Sequence, residues 1–251
     1  CVSVQFPPAR SGATSAMPDA DGMAPPAVVD EEVRTLAGVS VTISRPSTAC
    51  PRTGRASVTF LLPGAMVSTS EYNSTRDYLV RACGQHVISF YINVLWPLRD
   101  NHRRQAAKVR SVFDAFLSEY PDFAATPAPR YNIVGHSAGG KVALLTLALT
   151  DPRRVQTVIA LDPVDLNPPE FTEGGCGAGP SLSLSPEEGG GRDVVLTLTD
   201  GGRGIPPAHG AAAIHAKNPS ATRLVRHERA GHFAYADNGG GGGGGWVMPH
   251  V

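Results

Sequence analysis

Long apolar runs, a surplus of either charge and clustered cysteines are all missing from this sequence, and each absence removes a class of function. No apolar stretch approaches the roughly 18 residues that a bilayer-spanning helix needs. The densest, VALLTLAL at residues 142–149, is interrupted by Thr146 and reads as a buried helix. Lysine plus arginine number 22 and aspartate plus glutamate 22, so the formal net charge is zero. Such a chain lacks the positive field that draws proteins to nucleic acid, and neither nucleic-acid binding nor a polybasic membrane anchor is expected. A small, apolar, uncharged substrate suits it better, and peripheral contact with a membrane stays open. The four cysteines, Cys1, Cys50, Cys83 and Cys176, are scattered, with no C-x-x-C pair and no metal-finger spacing. At 251 residues the chain can bury a core without a disulfide framework, so free thiols and no metal site are expected.

What the chain does have is an alternation of strand-like and helix-like segments. Residues 1–26 are rich in Ala, Ser, Pro and Gly with Arg10 as the one basic residue, and read as a disordered tail or the remnant of an organelle transit peptide. The tail is taken to residue 32 and a single domain to span 33–251. Strands are expected at VSVTISRP (39–46), SVTFLLPG (57–64), HVISFYI (86–92), the apolar YNIV run from residue 131, QTVIAL (156–161), DVVLTL (193–198) and TRLVRHE (222–228). Helices are expected over 70–82, after Asn101, over the run at 141–149 and near 211–217. In the second of these Val109, Val112, Phe113, Phe116 and Leu117 recur on one face. Residues 167–192 form a Gly/Ser/Pro-rich loop, and GGGGGGG at 239–245 a Gly-rich tail. Strands alternating with helices imply βαβ units and a doubly wound, mostly parallel sheet with helices on both faces.

The segment YNIVGHSAGGKVALL (131–145) concentrates the chemistry. It fits G-x-S-x-G at Gly135-His136-Ser137-Ala138-Gly139, and it also fits most of a phosphate-binding G-x-x-x-x-G-K-[ST] loop. Val142 breaks the second pattern, because it has no hydroxyl to hold magnesium. The first pattern, set between an apolar strand and a helix, presents Ser137 on a sharp turn as a nucleophile. A serine needs a base, and the base needs a carboxylate to fix its tautomer. In α/β-hydrolases these follow in the order Ser, acid, His. His232, after Ala230-Gly231 and beyond the last strand, suits the base. Asp162, closing QTVIAL, is the first choice of acid; Asp200, closing DVVLTLTD, and Asp165 are the alternatives. The oxyanion donors expected are the amide of Ala138 and, from the loop after SVTFLLPG, that of Ala65, with Met66 next.

These motifs resemble the chlorophyllase family of α/β-hydrolases. Its G-H-S-x-G-G-K elbow is matched from Gly135 to Lys141, its Asp-Pro-Val by ALDPVD from Ala160, and its late Gly-His in part by GHFAYAD from Gly231. The family's usual arginine after the nucleophile is replaced here by Ala138. The resemblance implies an α/β-hydrolase fold, Asp162 as the acid, and hydrolysis of the phytyl ester of chlorophyll to chlorophyllide and phytol. It also implies no cofactor and a chloroplast location. Related patterns occur in platelet-activating-factor acetylhydrolases and polyester-degrading hydrolases, so a general lipid or carboxyl esterase is the alternative. A non-catalytic ligand binder of the same fold and a nucleotide-binding protein are more remote.

Overall fold

The computed structural model describes residues 29–47, 57–81, 84–93, 101–125, 128–149, 152–166, 169–172, 184, 193–199, 209–228 and 230–237. Residues 1–28, all four cysteines, Asp200, the run at 239–245 and most of the Gly-rich loop lie outside that set.

The first two strands, Val29–Leu36 (β1) and Val39–Pro46 (β2), form an antiparallel hairpin. Ala37 (φ 50°) and Gly38 (φ 75°) turn it, both in the left-handed region that matches strand twist in a two-residue hairpin. Next come Val58–Leu62 (β3), a 3-10 turn at Thr69–Tyr72, Asn73–Arg81 (α1), His86–Ser89 (β4), Asn101–Glu119 (α2), Pro121–Ala124 (α3) and Tyr131–His136 (β5). Ala138–Leu149 (α4), Val155–Leu161 (β6), Asp193–Thr199 (β7), Ala211–Lys217 (α5) and Arg223–His227 (β8) follow, ending in a 3-10 turn at His232–Tyr235.

The eight strands make one sheet in the order β1-β2-β4-β3-β5-β6-β7-β8. From β4 to β8 neighbours run parallel, whereas β2 runs against both of its neighbours. Successive side chains of a strand face opposite sides, and β3 shows how the two faces are filled. Phe60 and Leu62 join a large core with Val109 and Phe113 of α2, Val142 and Leu145 of α4, and Ile214 of α5. Leu61 instead joins Tyr72, Leu79 and Val80, from the 3-10 turn and α1, in a smaller core on the other face. Helix α4 packs against both the sheet and α2, so its sequence AGGKVALLTLAL is buried almost all round rather than on one stripe.

The sheet begins earlier than the sequence suggests. Residues 29–32, placed with the tail, belong to β1. Its acidic residues are held from both sides: Arg76 of α1 pairs with Glu31 at 2.5 Å, and the Tyr120 hydroxyl donates to Glu32. The helix expected over 70–82 divides into the 3-10 turn and α1, and Asn101 opens α2 rather than preceding it.

Candidate active site

Ser137 lies between the end of β5 and the start of α4, with φ at 55°. A non-glycine residue is strained there, and the flanking glycines are what make the bend passable. A Cβ on Gly135 would stand 2.3 Å from the carbonyl oxygen of Gly139. One on Gly139 would stand 2.4 Å from the carbonyl oxygens of both Leu62 and Pro63. Those contacts are far inside van der Waals distance, so the G-x-S-x-G spacing is a steric requirement of this junction.

The strand register sets what surrounds the serine. His136 pairs with Leu161, Leu62 with Gly135, Leu161 with Thr197 and Thr199 with His227, so the carboxyl ends of β3, β5, β6, β7 and β8 share one edge. Loops leaving that edge are where open α/β sheets gather their ligands. Backbone bonds lace the loop of Ser137 to that of Asp162: the Ser137 amide donates to the Leu161 carbonyl at 2.9 Å, and the Val164 amide donates to the Ser137 carbonyl at 3.3 Å.

Asp162 (φ 43°) is buried at 2% exposure, and its Oδ2 lies 2.8 Å from Nδ1 of His232. Nδ1–H donates to the carboxylate, which leaves Nε2 of His232 with its lone pair. The Thr199 hydroxyl donates to the same carboxylate oxygen at 2.7 Å, and the Thr197 hydroxyl accepts from the Asp162 amide at 3.0 Å. Thr199 has no signature in the sequence; only the pairing of β7 beside β6 brings it to the acid.

The alternative acids fare differently. Asp200 lies outside the described residues. Asp165 is fully buried and bonded elsewhere than to His232: its carboxylate accepts from the amides of Glu170, Phe171 and Thr172, each at 2.8 Å, and from the Thr172 hydroxyl at 2.9 Å. Its remaining partner is Lys141, whose Nζ is 3.1 Å from Asp165 Oδ1 and donates to the Leu166 carbonyl at 2.7 Å. Burial pushes the Lys141 ammonium down from its ordinary value, and the Asp165 carboxylate opposes that. The lysine that made the phosphate-loop pattern plausible is thus wholly inside the protein, pinning the loop after β6.

Of the expected oxyanion donors, Ala138 opens α4, where helical amides have no intrahelical acceptor. Ala65 is exposed in the turn after β3. Its neighbour Gly64 packs against the nucleophile, since a Cβ there would meet Ser137 Cβ at 3.4 Å. Met66 (φ 61°) follows at 79% exposure, and Phe233, next to His232, is 53% exposed. The Phe233 ring stands edge-on to those of His136 and His232, at 6.4 and 5.1 Å between centroids, and Met66 lies two residues past Gly64. Beside them His136 is buried, its ring 4.7 Å from that of His232. Burial, and then the charge of His232, pushes it down to about 4, so it is neutral at ordinary pH.

No family model matches the chain, and no curated protein sequence does. Among solved structures, 767 chains match, so the architecture is widely shared and does not by itself choose a substrate. One is a predicted CIB-like hydrolase from Thermoplasma acidophilum, solved at 1.45 Å resolution, with a TM-score of 0.56 and 17% sequence identity over 83% of this chain and 91% of that one. The chain has the α/β-hydrolase fold.

Proposed function

We propose that the chain is a serine hydrolase of carboxylic esters, with Ser137 as nucleophile, His232 as general base and Asp162 as the carboxylate that orients it. The observation that carries this reading is the 2.8 Å bond between Asp162 and His232, together with a serine held in a left-handed turn whose amide is bonded to Leu161, the residue before Asp162. In the proposed reaction the Ser137 hydroxyl attacks the ester carbonyl while Nε2 of His232 takes its proton. The carbonyl carbon becomes tetrahedral, and its oxyanion is met by the Ala138 and Ala65 amides. Collapse expels the alcohol, which takes the proton back from His232 and leaves an acyl-Ser137. Water, deprotonated by the same imidazole, then releases the acid. Asp162 stabilises the imidazolium at each stage without itself becoming protonated.

The uncharged balance of the chain and the exposed Met66 and Phe233 favour an apolar ester over a charged one. The finer reading is the phytyl ester of chlorophyll, with the pigment's propionate as acyl part, phytol as leaving alcohol and the chloroplast as location. It is supported by the chlorophyllase-like run from Gly135 to Lys141, and by the fact that the aspartate bonded to His232 is that of Asp-Pro-Val. Ala138 in place of arginine favours a broader carboxylesterase, and the two readings are separated by substrate. Wild-type protein and Ser137→Ala are assayed on chlorophyll, a p-nitrophenyl ester and a phospholipid. Turnover of at least one ester is expected to fall by several orders of magnitude in the variant while its circular dichroism is unchanged. Equal activity in both proteins would end the hydrolase reading; turnover confined to the other two esters would end the chlorophyll one.

A further inference from the structure

The reaction proposed above uses His232 and leaves His136 idle, although His136 is buried to 1% and bonded through both ring nitrogens. Its Nε2 stands 2.8 Å from the main-chain oxygen of His232. A carbonyl only accepts, so Nε2 carries the proton and donates. In a neutral ring Nδ1 then offers a lone pair, and the Tyr72 hydroxyl, 2.6 Å away, donates to it. That hydroxyl in turn accepts from the Gly64 amide at 3.0 Å. One unbroken chain of donors and acceptors therefore runs from Gly64, the residue before the proposed oxyanion donor Ala65, through a phenol and an imidazole to the backbone of the proposed base.

Both loops joined by this chain need holding. His232 sits at the start of a 3-10 turn with no side-chain cap, and Ala65 is exposed beside Met66 in left-handed conformation. The segment carrying Tyr72 also grips the far end of the His232 turn. The Asp237 amide donates to the Glu71 carbonyl at 2.6 Å, and the Asp237 carboxylate accepts from the Ser74 amide at 3.0 Å. Positioning matters because misplacing a reacting group by about 1 Å can cost on the order of a hundredfold in rate.

We propose that Tyr72 and His136 are positioning residues: their hydrogen-bonded chain locks the oxyanion loop and the His232 loop to one another, so that donor and base are set as a unit. This rests on the hydrolase reading. The chain needs a neutral imidazole, and the titratable groups facing it are Tyr72, Asp162, His232 and Tyr235. Burial keeps the ring neutral and raises the Tyr72 phenol to about 12, so both partners hold these protonation states throughout the working range.

The test measures the rate at which a fluorophosphonate modifies Ser137, together with kcat and KM on p-nitrophenyl butyrate. Tyr72→Phe keeps the ring and removes the hydroxyl; His136→Leu removes both bonds; His136→Gln restores a donor toward the His232 carbonyl. Tyr72→Phe and His136→Leu are expected to lower kcat and the modification rate by about ten- to a hundredfold with KM changed less than about threefold. His136→Gln should recover part of the loss, and the double variant should be no slower than the slower single one, because both break the same chain. Unchanged kcat in a folded Tyr72→Phe, or losses that multiply in the double variant, would overturn the proposal. If the variants do not fold, imidazole ¹⁵N NMR of the wild type decides: the proton must sit on Nε2 of His136 and stay single down to pH 5, and a proton on Nδ1 would refute the chain. Wild-type protein whose Ser137 resists the reagent would instead sink the hydrolase reading, and this role with it.

Discussion

Two of the three residues proposed for the triad hold a backbone conformation that costs about 1–3 kcal/mol each, Ser137 at φ 55° and Asp162 at φ 43°. Surrounding bonds must impose such geometry, and here they do: the Ser137 amide is fixed to Leu161, and the Asp162 amide to both the carbonyl and the hydroxyl of Thr197. Ser137, Asp162 and His232 could be nominated from the sequence because the elbow pattern, a strand-ending aspartate and a histidine past the last strand are local features. Tyr72, His136 and Thr199 could not. The bonds that single them out reach partners 64, 96 and 37 positions away, which no local pattern encodes. Two buried imidazoles give the residue scale its pH dependence. Burial holds His86 and His136 near about 4, whereas in the unfolded chain each titrates near its ordinary 6.5. Above about pH 6.5 neither state is protonated there. As the pH falls from about 6.5 toward about 4 the unfolded chain takes up protons that the native state refuses, so stability drops by up to about 3 kcal/mol per ring. Thermal melts across that window should show the midpoint falling; the His136→Gln variant should show a shallower fall, and a flat profile for the wild type would contradict the neutral buried rings.

At the scale of elements, the elbow is a packing problem that two glycines solve. Gly139→Ala drives a methyl onto the carbonyl oxygens of Leu62 and Pro63, so β3 and α4 must separate. The expected cost is at least about 2 kcal/mol, seen as a lower urea midpoint, with loss of any esterase activity. A variant as stable as wild type would mean that the turn has room that this packing denies. Most elements could be read from sequence because their periods are strong. Strand β2 and helix α5 fall at the expected bounds, and the buried face of α2 carries Val109, Val112, Phe113 and Phe116 as its spacing requires. Strand β1 was lost for a physical reason: VDEEVRTL is an edge strand with most side chains exposed, so it has no apolar alternation, and its place depends on Arg76 and Tyr120 far along the chain. Neither pattern that contains Lys141 says where its side chain goes. Its role is to neutralise Asp165 inside the fold, which only the packing reveals.

Across the whole molecule, the parallel run of β4, β3, β5, β6, β7 and β8 turns residues far apart in sequence into neighbours at one edge. Register delivers Asp162 beside Thr199, and the turn after β8 brings His232 back across the sheet ends to meet them. The doubly wound class followed from alternating elements. The choice of substrate did not, because the residues around Ser137 and His232 come from loops rather than from periodic segments. The central claim is that Ser137 is made nucleophilic by His232. The most direct measurement treats the folded protein with a fluorophosphonate and maps the adduct by peptide mass spectrometry, in the wild type and in His232→Ala. The account predicts an adduct on Ser137 whose formation slows by at least about a hundredfold in the variant; no adduct on Ser137, or one that forms equally fast without His232, would contradict it.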